Sequence, residues 1–130
     1  MTDLTIFNYQ DLGIFFLRVS LAIIFISHGW PKIRHLKKTR EMFSAMLVPV
    51  PFITSLYSAI VEFFGGIFLL LGFYVQVVSF AMAINMLGAM MFVTFKKGFI
   101  GGWELDFALF TIAVAIFLSG PGLFVLSSLR

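Results

Sequence analysis

Phe52-Ile-Thr-Ser-Leu-Tyr-Ser-Ala-Ile-Val-Glu-Phe-Phe-Gly-Gly-Ile-Phe-Leu-Leu-Leu-Gly-Phe-Tyr-Val75 carries a single charge, Glu62, near its middle. As a helix rising about 1.5 Å per residue, it is longer than the ~30 Å hydrocarbon core of a bilayer. Helical spacing puts Ser55, Ala59, Glu62, Gly65, Gly66, Leu69 and Gly72 on one face. The remaining surface is large and apolar, including Phe63, Phe64, Ile67, Phe68, Leu70 and Leu71. Small residues let helices approach closely in lipid. A carboxylate at that depth must face protein or a water-filled space. The rest of the chain is read by asking what meets this stripe.

Composition agrees with a membrane setting. The chain is 61% hydrophobic and 12% charged, with mean hydropathy +1.06. Soluble domains are closer to half apolar and a quarter charged, so the expectation is one membrane domain over 1–130 and no soluble domain. With no cysteine, thiolate metal sites, disulfides and cysteine nucleophiles are excluded. The pI near 9.5 suggests nucleic acid at first sight. The bases lie between apolar runs, however, which points to orientation and anionic lipid instead. No nucleic-acid partner is expected.

Residues Met1 to Asp11 lack the basic start and small-residue cleavage site of a signal peptide, so the first apolar run is expected to remain in the mature protein. Four spans follow, at about 12–30, 52–73, 77–95 and 103–119. In the first, Arg18, Ala22 (beside Leu21), Phe25, His28 with Gly29, and Lys32 share a face. Pro31 is expected to end or bend that helix. The basic connection 32–51 carries Lys32, Arg34, Lys37, Lys38 and Arg40 against Glu41. It reads either as an amphipathic helix on the membrane surface or as a solvated loop.

A tight link around Gly72 to Gln76 makes the second and third spans an antiparallel pair. Ala81, Asn85, Gly88, Ala89 and Phe92 form the expected small and polar face of the uncharged third span. Met82, Met86, Met90 and Met91 read as packing filler. Acids Glu104 and Asp106 open the fourth span, where a helix dipole favours them. Glu104, Ala108, Thr111, Ala115 and Ser119 share a face there, and Gly120-Pro121-Gly122 ends the helix. Leu123 to Leu129 is apolar but too short to cross and is expected at the interface.

The resulting fold class is an all-α integral membrane four-helix bundle with both termini on one side. Lys32, Arg34, Lys37, Lys38, Arg40, Lys96 and Lys97 fall on the other side. Positive charge stays cytoplasmic, so the termini are expected outside. Trp30 and Trp103 would mark the inner interface, and Tyr9 and Tyr74 the outer.

Glu62 is the first candidate for chemistry, either as a proton-handling or ligand-binding carboxylate or as the structural partner of a buried polar group. Arg18 lies about 9 Å inside the outer end of the first span at helical rise, so it could reach Glu62, and Asn85 is a second candidate neighbour. His28, Lys32, Glu104 and Asp106 could meet near the inner end, as a proton relay or head-group site or simply as an ion-paired helix end. No metal site is expected, because one His with dispersed carboxylates lacks ligand spacing. No phosphate loop, dinucleotide fingerprint, nucleophile elbow or zinc-protease motif is present.

These pieces together resemble the DoxX family of small four-span membrane proteins. The likeness is carried by Leu17-Arg18 with His28-Gly29-x-x-Lys32, by Glu62-x-x-Gly65-Gly66 with Gly72, by Gly101-Gly102-Trp103-Glu104, and by Gly120-Pro121-Gly122. The family often continues to Ser-Leu-Asp, whereas this chain continues to Leu126-Ser127-Ser128-Leu129-Arg130, without the acid. The resemblance implies a four-helix membrane bundle and kinship with membrane subunits of quinone-linked oxidoreductases. It points to Arg18, His28, Lys32, Glu62 and Glu104 as the positions to test.

The leading expectation is a membrane subunit that binds a quinone-like ligand between its helices. Glu62 would be its catalytic group, and Arg18, His28, Lys32, Asn85 and Glu104 would contact ligand. Electrons would come from a soluble or membrane oxidoreductase partner. Two alternatives stay open at this point. One is a small proton-coupled transporter of lipophilic solutes, which could be a homo-oligomer. The other is a scaffold whose polar stripes are helix glue.

Overall fold

The computed structural model describes residues 9–122. Five α-helices make up most of it: α1 (Tyr9–Arg34), α2 (Leu36–Ala45), α3 (Pro51–Leu71), α4 (Val75–Ala89) and α5 (Glu104–Ser119). A wide π-type turn, Met90–Thr94, and a 3-10 turn, Phe95–Lys97, prolong α4. Four segments are long and apolar enough to cross a membrane: Tyr9–Arg34, Pro51–Leu71, Val75–Lys97 and Phe99–Ser119. The chain is therefore an all-helical, multi-pass membrane protein, and no strand occurs among the described residues. The expected interfacial segment Leu123 to Leu129 lies outside them.

The helices form a ring in which α1 packs on α3, α3 on α4, α4 on α5 and α5 on α1. Leu21, Phe25, Leu69, Met82, Ala113 and Ile116 fill its centre, each nearly or fully buried. Large apolar residues such as Phe16, Ile23, Phe64, Phe68, Phe80 and Leu118 point outward, where lipid is their solvent.

The small stripe of α3 is where the tightest packing occurs. Ser55, Ala59, Glu62, Gly65, Gly66 and Leu69 are all buried. A Cβ on Gly29 would lie 2.8 Å from both Glu62 C and Phe63 Cα, and one on Gly66 would lie 2.7 Å from Ile26 Cγ1. Only hydrogen at these positions lets α1 and α3 cross so closely.

Pro31 does not end the first helix. The helix runs on to Arg34, and His35 N still donates to Pro31 O at 3.0 Å. Proline removes one intrahelical bond, but its own carbonyl can still accept the next one. This continuation carries Lys32 one turn past His28 on the inward side. The basic connection contains a helix, α2, which packs mainly on α3. Pro51 begins α3, where its missing N–H is harmless.

Two faces read from the sequence are turned differently. On α5 the buried line is Leu109, Ala113 and Ile116, while Glu104, Ala108, Thr111 and Ser119 are exposed. On α4 the buried line is Val75, Ser79, Met82, Ala83 and Met86. The methionines Met82, Met86 and Met90 are core, and Met91 is outside.

Candidate functional site

Glu62 lies in the middle turns of α3 with its side chain 5% exposed. Its Oε2 accepts three hydrogen bonds: from Lys32 Nζ at 2.8 Å, from Ser58 Oγ at 2.8 Å and from Asn85 Nδ2 at 2.9 Å. Lys32 Nζ also donates to Ser58 Oγ at 3.0 Å. Thus α1, α3 and α4 each supply a group to one oxygen. The close crossing at Gly29 brings α1 near, and the flexible Lys32 stem carries its charge inward from the helix end. Ser58 stands one turn before Glu62, the spacing that puts side chains on one helix face.

The donor count leaves spare capacity. An ammonium has three N–H groups and a carboxamide two. Lys32 uses two of its three in these bonds and Asn85 uses one of its two. Glu62 Oε1 is buried and has no hydrogen-bond partner among the described residues.

Two spaces meet at this cluster. An apolar groove of about 460 Å³ runs between α2, α3 and the prolonged α4. Met42, Phe43, Met46, Ile53, Tyr57, Ile84 and Phe92 form its walls, and Lys32, Ser58, Glu62 and Asn85 form its polar end. Asn85, Gly88, Ala89 and Phe92, read from the sequence as the small and polar face of the third span, line this groove. The wide turn Met90–Thr94 shapes the same region, a use to which such turns are often put. The second space is a cavity of about 130 Å³, lined by His28, Lys32, Glu62 and Asp106 together with Phe25, Met86 and Leu109.

His28, Lys32 and Asp106 are therefore brought together around one cavity. Asp106 Oδ2 accepts from Thr94 Oγ1 at 3.0 Å, tying α5 to the end of α4. Glu104 lines neither space: it is exposed, and its Oε1 accepts from Gly101 N at 2.9 Å. That bond secures the turn in which Gly101 takes φ +76°. Arg18 also lines neither space. Its Nε and Nη2 donate to Leu69 O and Leu70 O at 3.0 and 3.1 Å, and its Nη1 donates to Pro121 O at 3.1 Å. It satisfies carbonyls at the C-terminal end of α3, which lack intrahelical donors.

Four membrane-crossing helices around a buried, multiply hydrogen-bonded carboxylate define a polytopic membrane protein with a polar site inside its bundle. The chain belongs to the DoxX family, whose model matches residues 13–95. It is similar to a protein of Bacillus subtilis (strain 168) named "Putative oxidoreductase CatD". The two are 28% identical over 110 residues, covering 85% of this chain and 81% of that protein. No solved structure matches the chain.

Proposed function

We propose that this protein is a membrane subunit of a quinone-linked oxidoreductase system, and that the groove between α2, α3 and α4 receives the quinone. The observation that carries this reading is the match between a long apolar groove and its polar end. At that end Lys32 and Asn85, both held by Glu62, keep unused N–H donors. A quinone needs an apolar channel for its tail and donors for its ring carbonyls, which can only accept. When bound, such a group would accept two electrons and two protons.

The chain's own part is to hold and orient. Lys32 and Asn85 donate to a ring carbonyl, Glu62 fixes both donors and holds a proton at Oε1, and Met42 and Phe43 of α2, with Met46 just after it, keep water from the groove. His28 faces the same cluster from the cavity. The name of the similar Bacillus protein supports redox work; electrons would be supplied by a partner protein. The charge asymmetry supports termini outside and the connections bearing Lys37, Lys38, Lys96 and Lys97 in the cytoplasm.

The test is mass spectrometry of lipophilic molecules retained by the detergent-purified protein, wild type beside Glu62→Gln, before and after adding excess ubiquinone. Near-stoichiometric quinone on the wild type and much less on the variant is expected. No retained quinone on either protein, even after the addition, removes the quinone from the reading.

A further inference from the structure

We infer that the cavity beside Glu62 is an aqueous inlet through which this carboxylate exchanges protons with the membrane face that carries α2. The inference rests on the proton-handling part of the reading above and not on the identity of any ligand in the groove.

Glu62 lines two unlike spaces, as does Lys32. Its Oε2 is saturated by Ser58 and Asn85, which line the groove, and by Lys32, which lines both spaces. Its Oε1 is buried without a donor among the described residues. Ser58 and Asn85 do not line the cavity, whereas His28 and Asp106 line the cavity and not the groove. The cavity thus brings together the charged and titratable groups that α1, α3 and α5 turn toward this point: His28 and Lys32, Glu62, and Asp106. The neighbouring wall from α4 is apolar, Met86 and Ala89.

At about 130 Å³ the cavity has room for several waters, and four polar side chains give them partners. An orphaned carboxylate oxygen costs free energy that a hydrogen-bonding water would recover. His28 is exposed, and so joins the cavity to the surface near the C-terminal end of α1. A proton entering there moves along the waters to the Glu62 carboxyl group. It converts the carboxylate to the acid, one proton having left the bulk and the water chain being unchanged. The groove is mostly apolar, so a hydrophobic ligand and a proton can reach one carboxyl through different spaces.

The chain has no cysteine, so single replacements give single thiols. Met86→Cys and Leu109→Cys place a thiol on the cavity, and Ile116→Cys places one in the dry core. Lys37→Cys and Gln76→Cys mark the two membrane faces. Proteoliposomes are treated with a membrane-impermeant cationic methanethiosulfonate. The expected result is that the cavity thiols react more than about tenfold faster than Ile116→Cys, because only a hydrated thiol forms the reactive thiolate. They should also be modified in the same fraction of vesicles as Lys37→Cys.

Cavity thiols as inert as Ile116→Cys, or modified together with Gln76→Cys, would overturn the inference. A second measurement follows the proton. Modification of Glu62 by dicyclohexylcarbodiimide, which takes protonated carboxyls from the lipid side, is measured with a different pH on each face. It should rise when the Lys37 face is acidified and ignore the other face. Dependence on the Gln76 face, or on neither, would sink the inlet. Neither measurement requires a quinone, so failure of the quinone reading leaves both informative.

Discussion

Lys32 Nζ lies 2.8 Å from Glu62 Oε2, joining α1 to α3 across a crossing where no side chain fits at Gly29. The Lys32 side chain is 23% exposed and that of Glu62 is 5% exposed. Removing one partner therefore has unequal consequences. Lys32→Met leaves a buried carboxylate without its counter-charge, a change that typically costs about 3–5 kcal/mol. Glu62→Gln leaves a lysine that can still turn toward water, and should cost less. Combining the two should cost less than the sum of the singles by about 0.5–3 kcal/mol. Thermal unfolding of the four proteins in one detergent measures this. Additive losses would mean that the two residues do not act as a pair.

The crossing itself gives the second prediction. Gly29→Ala places a methyl group 2.8 Å from backbone atoms of Glu62 and Phe63, which cannot rotate away. Overpacking of this kind costs roughly 1–3 kcal/mol, and here it also pushes Lys32 from Glu62. Gly13→Ala meets nothing within 4 Å and should be neutral or stabilising by up to about 1 kcal/mol. Unfolding temperatures of the two variants should move in opposite directions or differ by several degrees. Equal behaviour would contradict the close approach.

How far the sequence could be read depended on the kind of signal. The spans were legible because apolar length is a local property. The α3 stripe was legible because Gly65, Gly66 and Ala59 mark a surface that another helix must approach. Arg18 and Glu62 could both be recognised as membrane-depth charges, but their partners were not legible from spacing within one helix. Arg18 meets carbonyls of Leu69 and Leu70, and Glu62 meets Lys32, Ser58 and Asn85. Ser58 could have been found as the residue one turn before Glu62. Asn85 was recognisable as a neighbour of Glu62 because both lie mid-membrane, but what the rest of its face meets was not. Asn85, Gly88 and Ala89 resemble a helix-packing surface, yet they border an open groove while Met82 and Met86 take the core.

The third prediction concerns Arg18. Three of its donors hold carbonyls of Leu69, Leu70 and Pro121. Each charge-assisted bond contributes about 1.5–3 kcal/mol, and a buried acceptor left unpaired adds to the loss. Arg18→Met should lower the unfolding temperature markedly, with Arg18→Lys intermediate because an ammonium lacks the planar fork. Neither should change quinone retained per folded molecule, since Arg18 lines neither the groove nor the cavity. Loss of retention in folded Arg18→Lys would place Arg18 in the ligand site.

The fourth prediction separates the groove from the fold. Gly88 borders the groove, and a Cβ there meets nothing within 4 Å. Gly88→Leu should therefore be accommodated without moving α3 or α4, and alanine at this position should raise helix stability slightly. The leucine side chain instead projects into space that a hydrophobic ligand would use, beside the donors Lys32 and Asn85. If quinone occupies this groove, its affinity should fall at least about tenfold, equivalent to about 1.4 kcal/mol, while Gly88→Ala retains most of it. Equilibrium binding of a short-chain ubiquinone analogue to the two variants and the wild type decides the matter. Unchanged affinity in a Gly88→Leu protein with wild-type unfolding temperature would move the ligand elsewhere in the bundle.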